Sequence, residues 1–286
     1  MNPVNSSWTA STDLIIAVFR RLLAPRRGFV TRAHIKNNVG IYGFPANRGV
    51  PGTSRRSASA SSSRPTPAIW RESMAMCSGV IVLFDGIRAP LFFVSPGVII
   101  EQLPMGLTPP TATMVMIGGE NGGAASAPQQ VQVAELSPGI FTLSQHGKGQ
   151  GIAVHTGSAD LVAPVGAVGN SRPASEGDHL TIYANGLGPV NPPIEDGRNS
   201  CDPDRECLPD FSNLVLRRTT TRPVVTIGGV RVLDEDVLFS GPAPRYVGVN
   251  EVIVRLPKGV PSGDAVSIVI RMGETQSRLD VTIAVE

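Results

Sequence analysis

The chain is poor in the residues on which binding and catalytic faces usually rely. Phe, Trp and Tyr make 14 of its 286 residues, and both tryptophans, Trp8 and Trp70, precede residue 78. A flat aromatic platform for sugars is left with Tyr183, Tyr246 and Phe239, each as suited to a core. Long apolar runs are missing too. LIIAVF, Leu14 to Phe19, is six residues long, where a bilayer-spanning helix needs about twenty, so no transmembrane segment is expected. Arg20, Arg21, Arg26 and Arg27 follow that run, the reverse of a secretory signal, whose positive charges come first. GxSxG, HExxH and a glycine loop ending in GK[ST] are all absent, and GKGQG, Gly147 to Gly151, reads as a turn.

Metal-ligating residues are scattered. Of the four histidines, His34 stands alone, His146 lies in the loop SQHGKGQG, His155 ends the run GIAVHT, and His179 falls on the polar side of HLTIY. The acidic groups DPDRE (202–206) and LDEDV (233–237) do not fit the twelve-residue calcium loop and read as solvated loop charge. No cofactor, metal or catalytic residue is expected. There are three cysteines. Cys77 is left over, whereas Cys201 and Cys207 bracket CDPDREC; in an exported protein they would staple that loop, and in the cytosol they would remain thiols. Two ligands alone do not make a structural zinc site, so the disulfide is the favoured reading.

Turn residues are plentiful. Gly (31) and Pro (25) make about a fifth of the chain, against roughly 12% in average usage, which fits many short elements. Charge is unevenly placed. Residues 1–77 carry 11 Lys+Arg against Asp13 and Glu72, or +9, which leaves 14 basic against 21 acidic residues, or −7, in the remainder. Within the first part, RGVPGTSRRSASASSSRPTP (48–67) has almost nothing to bury and cannot offset its ordering entropy. Residues 1–77 are therefore read as a basic, largely disordered segment. It has no interleaved aromatics and no motif for specific nucleic-acid binding.

Beyond Cys77 the chain alternates. Leu279, Val281, Ile283 and Val285 of LDVTIAVE would face one way, and Val252, Val254 and Leu256 of VNEVIVRLP oppose Glu251, Ile253 and Arg255. This is the period of a half-buried strand, and HLTIYANG, QGIAVHT and VSIVIRM add to the set. The expected class is all-β.

The strands also repeat. Aligning Leu103-Pro104 with Leu256-Pro257, an offset of 153, brings Gly106 onto Gly259, Ala112 onto Ala265 and Val115-Met116-Ile117 onto Ile268-Val269-Ile270. Upstream, VLFDGIRA (82–89) matches VTIGGVRV (225–232), with Asp85-Gly86 and Gly228-Gly229 as hairpin turns, since both central positions of a type I′ turn need positive φ. Downstream, Ser126 and Ser277 each introduce a last alternating strand. Two β-sandwich units follow, residues 78–136 and 137–286. The second has opening strands in SPGIFTLSQHGKGQGIAVHT and GDHLTIYANGLGP that the first does not match, so the first is expected to be incomplete, with an exposed apolar edge.

The series SPGIFT, GQGIAVHT, GDHLTIYANGLGPV, PVVTIGGVRV, FSGPAPRYVGVNEVIVRLPKGVPSGD and SRLDVTIAV resembles the uncharacterised C-terminal domain family named after Solibacter, and GIRAPLFFVSPGVIIEQLPMG resembles its preceding half-module. The resemblance spans roughly Ser78 to Glu286. It implies tandem immunoglobulin-like sandwiches at the ends of exported bacterial proteins, and it brings no catalytic residue. The function expected is that of a non-catalytic extracellular or cell-envelope module for adhesion, anchoring or spacing, with a cell-surface protein or polysaccharide as partner. The alternative is a carbohydrate-binding accessory module.

Overall fold

The alternating runs form strands throughout. The computed structural model describes residues 39–43, 79–95, 98–118, 125–201, 207–208 and 211–286. These residues are all-β, with a single 3-10 turn at Asp234–Asp236 and no α-helix; none of their segments is a helix long and apolar enough to cross a membrane. The chain divides into two compact units, Val39–Val133 and Ala134–Glu286.

In the first unit the strands are β1 (Val39–Gly43), β2 (Ile81–Phe84), β3 (Ile87–Arg88), β4 (Leu91–Ser95), β5 (Val98–Gln102), β6 (Thr111–Ile117) and β7 (Gln129–Gln132). They form two sheets, in the orders β1-β5-β4 and β3-β2-β6-β7. Val82, Phe84, Ala112, Met114 and Val131 of one sheet share a core with Leu91 and Ile99 of the other. The reading of residues 1–77 as unstructured concerns residues outside those described, apart from Val39–Gly43. Those five residues form a strand: β1 pairs antiparallel with β5, Ile41 opposite Ile100. The basic segment therefore contains a strand, because VGIYG can satisfy its backbone on the edge of β5 even though its neighbours offer little to bury.

The second unit opens with β8 (Gly139–Ile140), β9 (Gly149–Gln150), β10 (Ala153–His155), β11 (Leu161–Val162) and β12 (Ser171–Arg172). It continues through β13 (His179–Asn185), β14 (Val190–Asn191), β15 (Arg218–Thr219), β16 (Val224–Ile227), β17 (Val230–Arg231), β18 (Val237–Pro242), β19 (Asn250–Arg255), β20 (Gly263–Met272), β21 (Thr275–Gln276) and β22 (Val281–Val285). One sheet runs β12-β11-β10-β13-β19-β18 and the other β17-β16-β20-β22-β9. Leu180, Ile182, Val252 and Val254 from the first interdigitate with Val225, Ile227, Ile268, Ile270 and Ile283 from the second in one core. Burying side chains of this size is worth roughly 1.5–3 kcal/mol each, so this layer is the main source of the unit's stability.

The second unit repeats the hairpin, the shifted edge strand and the closing serine pair of the first. Asp85 and Gly86 have φ of 49° and 83°, and Gly228 and Gly229 have 57° and 83°, so both β2–β3 and β16–β17 turn through two left-handed residues. The Ala89 N–H donates to the Val82 carbonyl and the Val232 N–H to that of Val225, each at 2.9 Å. The edge strands β4 and β18 carry a register shift at the same place, between Leu91 and Phe93 in one and between Val237 and Phe239 in the other. The Met116 N–H donates to Ser126 Oγ at 3.0 Å while the Ser126 N–H donates back to the Met116 carbonyl at 2.8 Å. Ile270 and Ser277 make the same reciprocal pair at 2.9 and 2.8 Å.

The structure corrects the alignment by one residue in β6. Phe84 pairs with Met114, and its counterpart Ile227 pairs with Ile268. Met114 thus corresponds to Ile268 and Ala112 to Val266, an offset of 154 in place of 153. The buried positions agree, since Ala112, Met114, Val266, Ile268 and Ile270 all face a core. Sliding a strand by one residue would turn that set outward. The extra residue lies between Pro257 and Val266, a stretch in which β20 carries a register shift against β22 that β6 does not have against β7. A side chain at Gly228 would meet Pro261 of the longer turn at 2.6 Å, whereas Asp85 has room to accept the Thr113 N–H at 2.8 Å.

A second correction concerns exposure. β13 and β19 lie inside their sheet and are buried on both faces, Thr181, Tyr183, Glu251 and Ile253 included. They are not half-buried: Tyr183 packs in a second core with Ile152, Val154, Leu161, Ala163, Ala243 and Val249, and the chain that enters β15 passes over Gly241 of β18. Its backbone comes so close that a Cβ at Gly241 would lie 2.1 Å from the Arg217 carbonyl oxygen. Gly241→Ala is therefore expected to destabilise the unit by about 2 kcal/mol through overpacking. Gly229→Ala, at positive φ with nothing within 4 Å, should cost only the left-handed penalty of about 1 kcal/mol. Urea unfolding midpoints of the two variants would test this, and equal midpoints would contradict it.

Candidate functional site

The polar groups buried in the second unit are the places where chemistry would have to reside, and two sets of them hold titratable groups of interest. The first is built on the end of β10. His155 is 3% exposed, with Nδ1 3.3 Å from Asp178 Oδ2 and Nε2 3.3 Å from the Arg172 carbonyl oxygen. Asp178 Oδ2 also accepts the Ser175 N–H at 3.0 Å and lies 3.7 Å from the Arg172 guanidinium. The cluster joins β10, β12 and the turn that enters β13. It has the parts of an acid–base dyad, but both imidazole nitrogens already face oxygen atoms of the protein, and among the described residues no hydroxyl is hydrogen-bonded to Nε2. What this arrangement does is fasten three elements together.

The second cluster lies on the outer face of β13 and β19. Glu251 is fully buried, and neither carboxylate oxygen has a hydrogen-bond partner. Burial pushes its carboxyl well above the usual range. Tyr183 stands opposite it on β13 and Gly241 opposite it on β18. Residues paired in this way share a face. Asn185, two residues along β13, has a buried Oδ1 without a hydrogen-bond partner, and so has Ser200 Oγ in the chain between β13 and β16. Arg217, 8% exposed, ties that chain together: its Nε donates to the Pro193 carbonyl at 3.2 Å and its Nη1 to that of Ser200 at 3.0 Å. Burial lowers the Arg217 pKa. That chain docks through the Ser200 N–H, which donates to the Pro244 carbonyl at 3.2 Å.

Cys201 and Cys207 form a disulfide with Cα atoms 5.2 Å apart, against Pro244. Sequence patterns thus led to the loop but missed the buried carboxyl, because in NEVIVR the glutamate has the position of a solvent-facing residue. The signal available was that GDHLTIYANG and VNEVIVRLP are both apolar enough to be interior strands.

Other candidates sit apart. His146 and His179 are exposed and His34 and Cys77 lie outside the described residues. Among the described residues no group of three or more His, Cys, Asp or Glu could hold a metal ion. DPDRE (202–206) is outside the described residues, while LDEDV, read as solvated loop charge, is only partly so: Asp234 and Glu235 are exposed, but Asp236 is buried and accepts Arg255 Nε at 2.7 Å. Of the aromatic candidates, Tyr183 and Phe239 are buried and Tyr246 is half-buried. The Arg218 guanidinium lies 5.2 Å over the Phe239 ring. Nothing here makes a flat aromatic platform.

No family model, curated protein or solved structure matches the chain.

The disulfide closes a separation of six residues, for which loop entropy gives about 2 kcal/mol. Replacing both cysteines by serine is expected to lower the unfolding free energy by that amount. An unchanged urea midpoint would contradict a bridged pair.

Proposed function

We propose that the chain is a non-catalytic module of the cell envelope or extracellular space, a tandem of immunoglobulin-like sandwiches that spaces, anchors or adheres. The observation that carries this reading is the repeat itself. Two units share turns, register shift and serine pair, and the differences between them are absorbed by loops. A duplicated scaffold of this kind supplies length and surface. The buried polar groups support the same view, since the His155 cluster fastens strands and Glu251 is fully buried. Location outside the cytosol is favoured by the Cys201–Cys207 pairing, because such bridges persist in oxidising compartments, and by the motifs that resemble the Solibacter-type domain. The burial of Tyr183 and Phe239 weighs against a sugar platform.

Cell fractionation of the native host with an antibody to the chain tests the proposal, together with a glycan array probed with the purified protein. The protein should be found in the envelope or medium and should leave the array blank. Confinement to the cytosol would overturn the location, and saturable retention on defined glycans would replace spacing or adhesion with carbohydrate binding.

A further inference from the structure

The closing strands β7 and β22 hold the same place in their units, since Ala112 pairs with Val131 as its counterpart Val266 pairs with Ile283. What lies beyond them differs. In the second unit the far edge of β22 is filled: the Gly149 N–H donates to the Asp280 carbonyl at 2.7 Å, the Gly151 N–H to that of Thr282 at 2.8 Å and the Ala174 N–H to that of Ala284 at 3.0 Å. β22 is buried along most of its length. In the first unit Gln129, Gln130 and Gln132 of β7 are exposed. The Val133 N–H donates to the Pro110 carbonyl at 2.8 Å, so by alternation Gln129 and Val131 also turn their backbone groups toward β6, and Gln130 and Gln132 turn theirs away. Among the described residues nothing pairs with those outward groups.

Open edges are ordinarily blunted by charge, proline or a bulge. The edge strand β4 has its register shift, and β18 has one too, with its Leu238 carbonyl taken by Arg218. β7 has none of these, because QQVQ is neutral and its ladder to β6 is regular. The edge is also complementary to itself. About a two-fold axis through Val131 a second β7 runs antiparallel and sets Gln130 opposite Gln132 of the second copy, so that each such pair exchanges both of its N–H···O bonds. Pro128, which has no N–H, bounds the ladder at one end. Val131 faces the core, so the Gln130 and Gln132 side chains lie on the other face, where amide meets amide across the junction. No like charges are brought together.

We propose that β7 is a self-association edge: two copies of the chain join β7 to β7 antiparallel about Val131, and their β3-β2-β6-β7 sheets become one continuous sheet across a two-fold axis. The second copy supplies to β7 what β9 and Ala174 supply to β22. This goes beyond the spacing or adhesive reading and does not depend on the compartment in which the chain resides. One short strand on each side makes a small contact, so the dimer is weak and reversible.

Sedimentation equilibrium of the full chain from micromolar to millimolar concentration tests the edge. A reversible monomer–dimer equilibrium is expected, and the backbone amides of Gln130 and Gln132 should gain protection from hydrogen exchange as concentration rises. Gln132→Pro removes an N–H that points away from β6, leaves the β6–β7 ladder intact and should raise the dissociation constant about tenfold or more, since each copy loses a bond. Gln130→Lys with Gln132→Lys sets like charges opposite each other and should weaken the dimer as well. Gln130→Lys with Gln132→Glu sets opposite charges together in this register and should restore it. A chain that stays monomeric throughout would overturn the proposal. So would a dimer unmoved by Gln132→Pro, which would put the contact on another surface, or one that both charged pairs weaken alike, which would exclude the antiparallel register.

Discussion

The antiparallel register between each hairpin strand and the long strand beside it is the constraint on which the molecule depends. Phe84 opposite Met114, and Ile227 opposite Ile268, decide which side of β6 and β20 is turned inward. Because side chains alternate with a period of two, that single choice settles the whole inner face of the sheet. The turns Asp85-Gly86 and Gly228-Gly229 hold the register at one end, and the reciprocal Ser126–Met116 and Ser277–Ile270 hydrogen bonds hold it at the other. Between those points the sequence is free to differ, and it does: the stretch from Leu256 to Val266 is one residue longer than that from Leu103 to Ala112.

Burial on the second face of β13 and β19 is a consequence of what was added to this scaffold. The first unit joins β1 to β5 through five residues, whereas the second places β13 between β10 and β19 and runs the chain before β15 against Gly241. Among the described residues Glu251, on a central strand, is buried without a hydrogen-bond partner. A buried, unpaired acid costs stability. Arg217 is buried as well, a cation whose hydrogen bonds are all to backbone carbonyls.

Much of the scaffold was legible beforehand, for physical reasons that differ from feature to feature. Alternation gave the all-β class because the period of two leaves few other options. The Asp-Gly and Gly-Gly pairs gave the hairpins because left-handed backbone at two successive residues is steep for anything else. The one-residue slip in β6 was not legible: LPMGLTPPTAT and LPKGVPSGDAVSI align equally well either way, and only the pairing with β2 and β16 shows where the extra residue sits. Nor was Glu251, since a polar residue in an alternating strand looks the same whether its face is solvated or buried. The strand at Val39–Gly43 escaped notice because VGIYG is short and stands among residues whose composition argues against a core.

The account rests on a duplicated register, and NMR distance contacts across the strands measure that most directly. Backbone protons of Phe84 should lie next to those of Met114, and those of Ile227 next to those of Ile268, in the same protein sample. Contacts from Phe84 to Val115 instead, or the absence of either pair, would contradict it, because the inner face of one unit would then be turned outward and the repeat would be one of sequence alone.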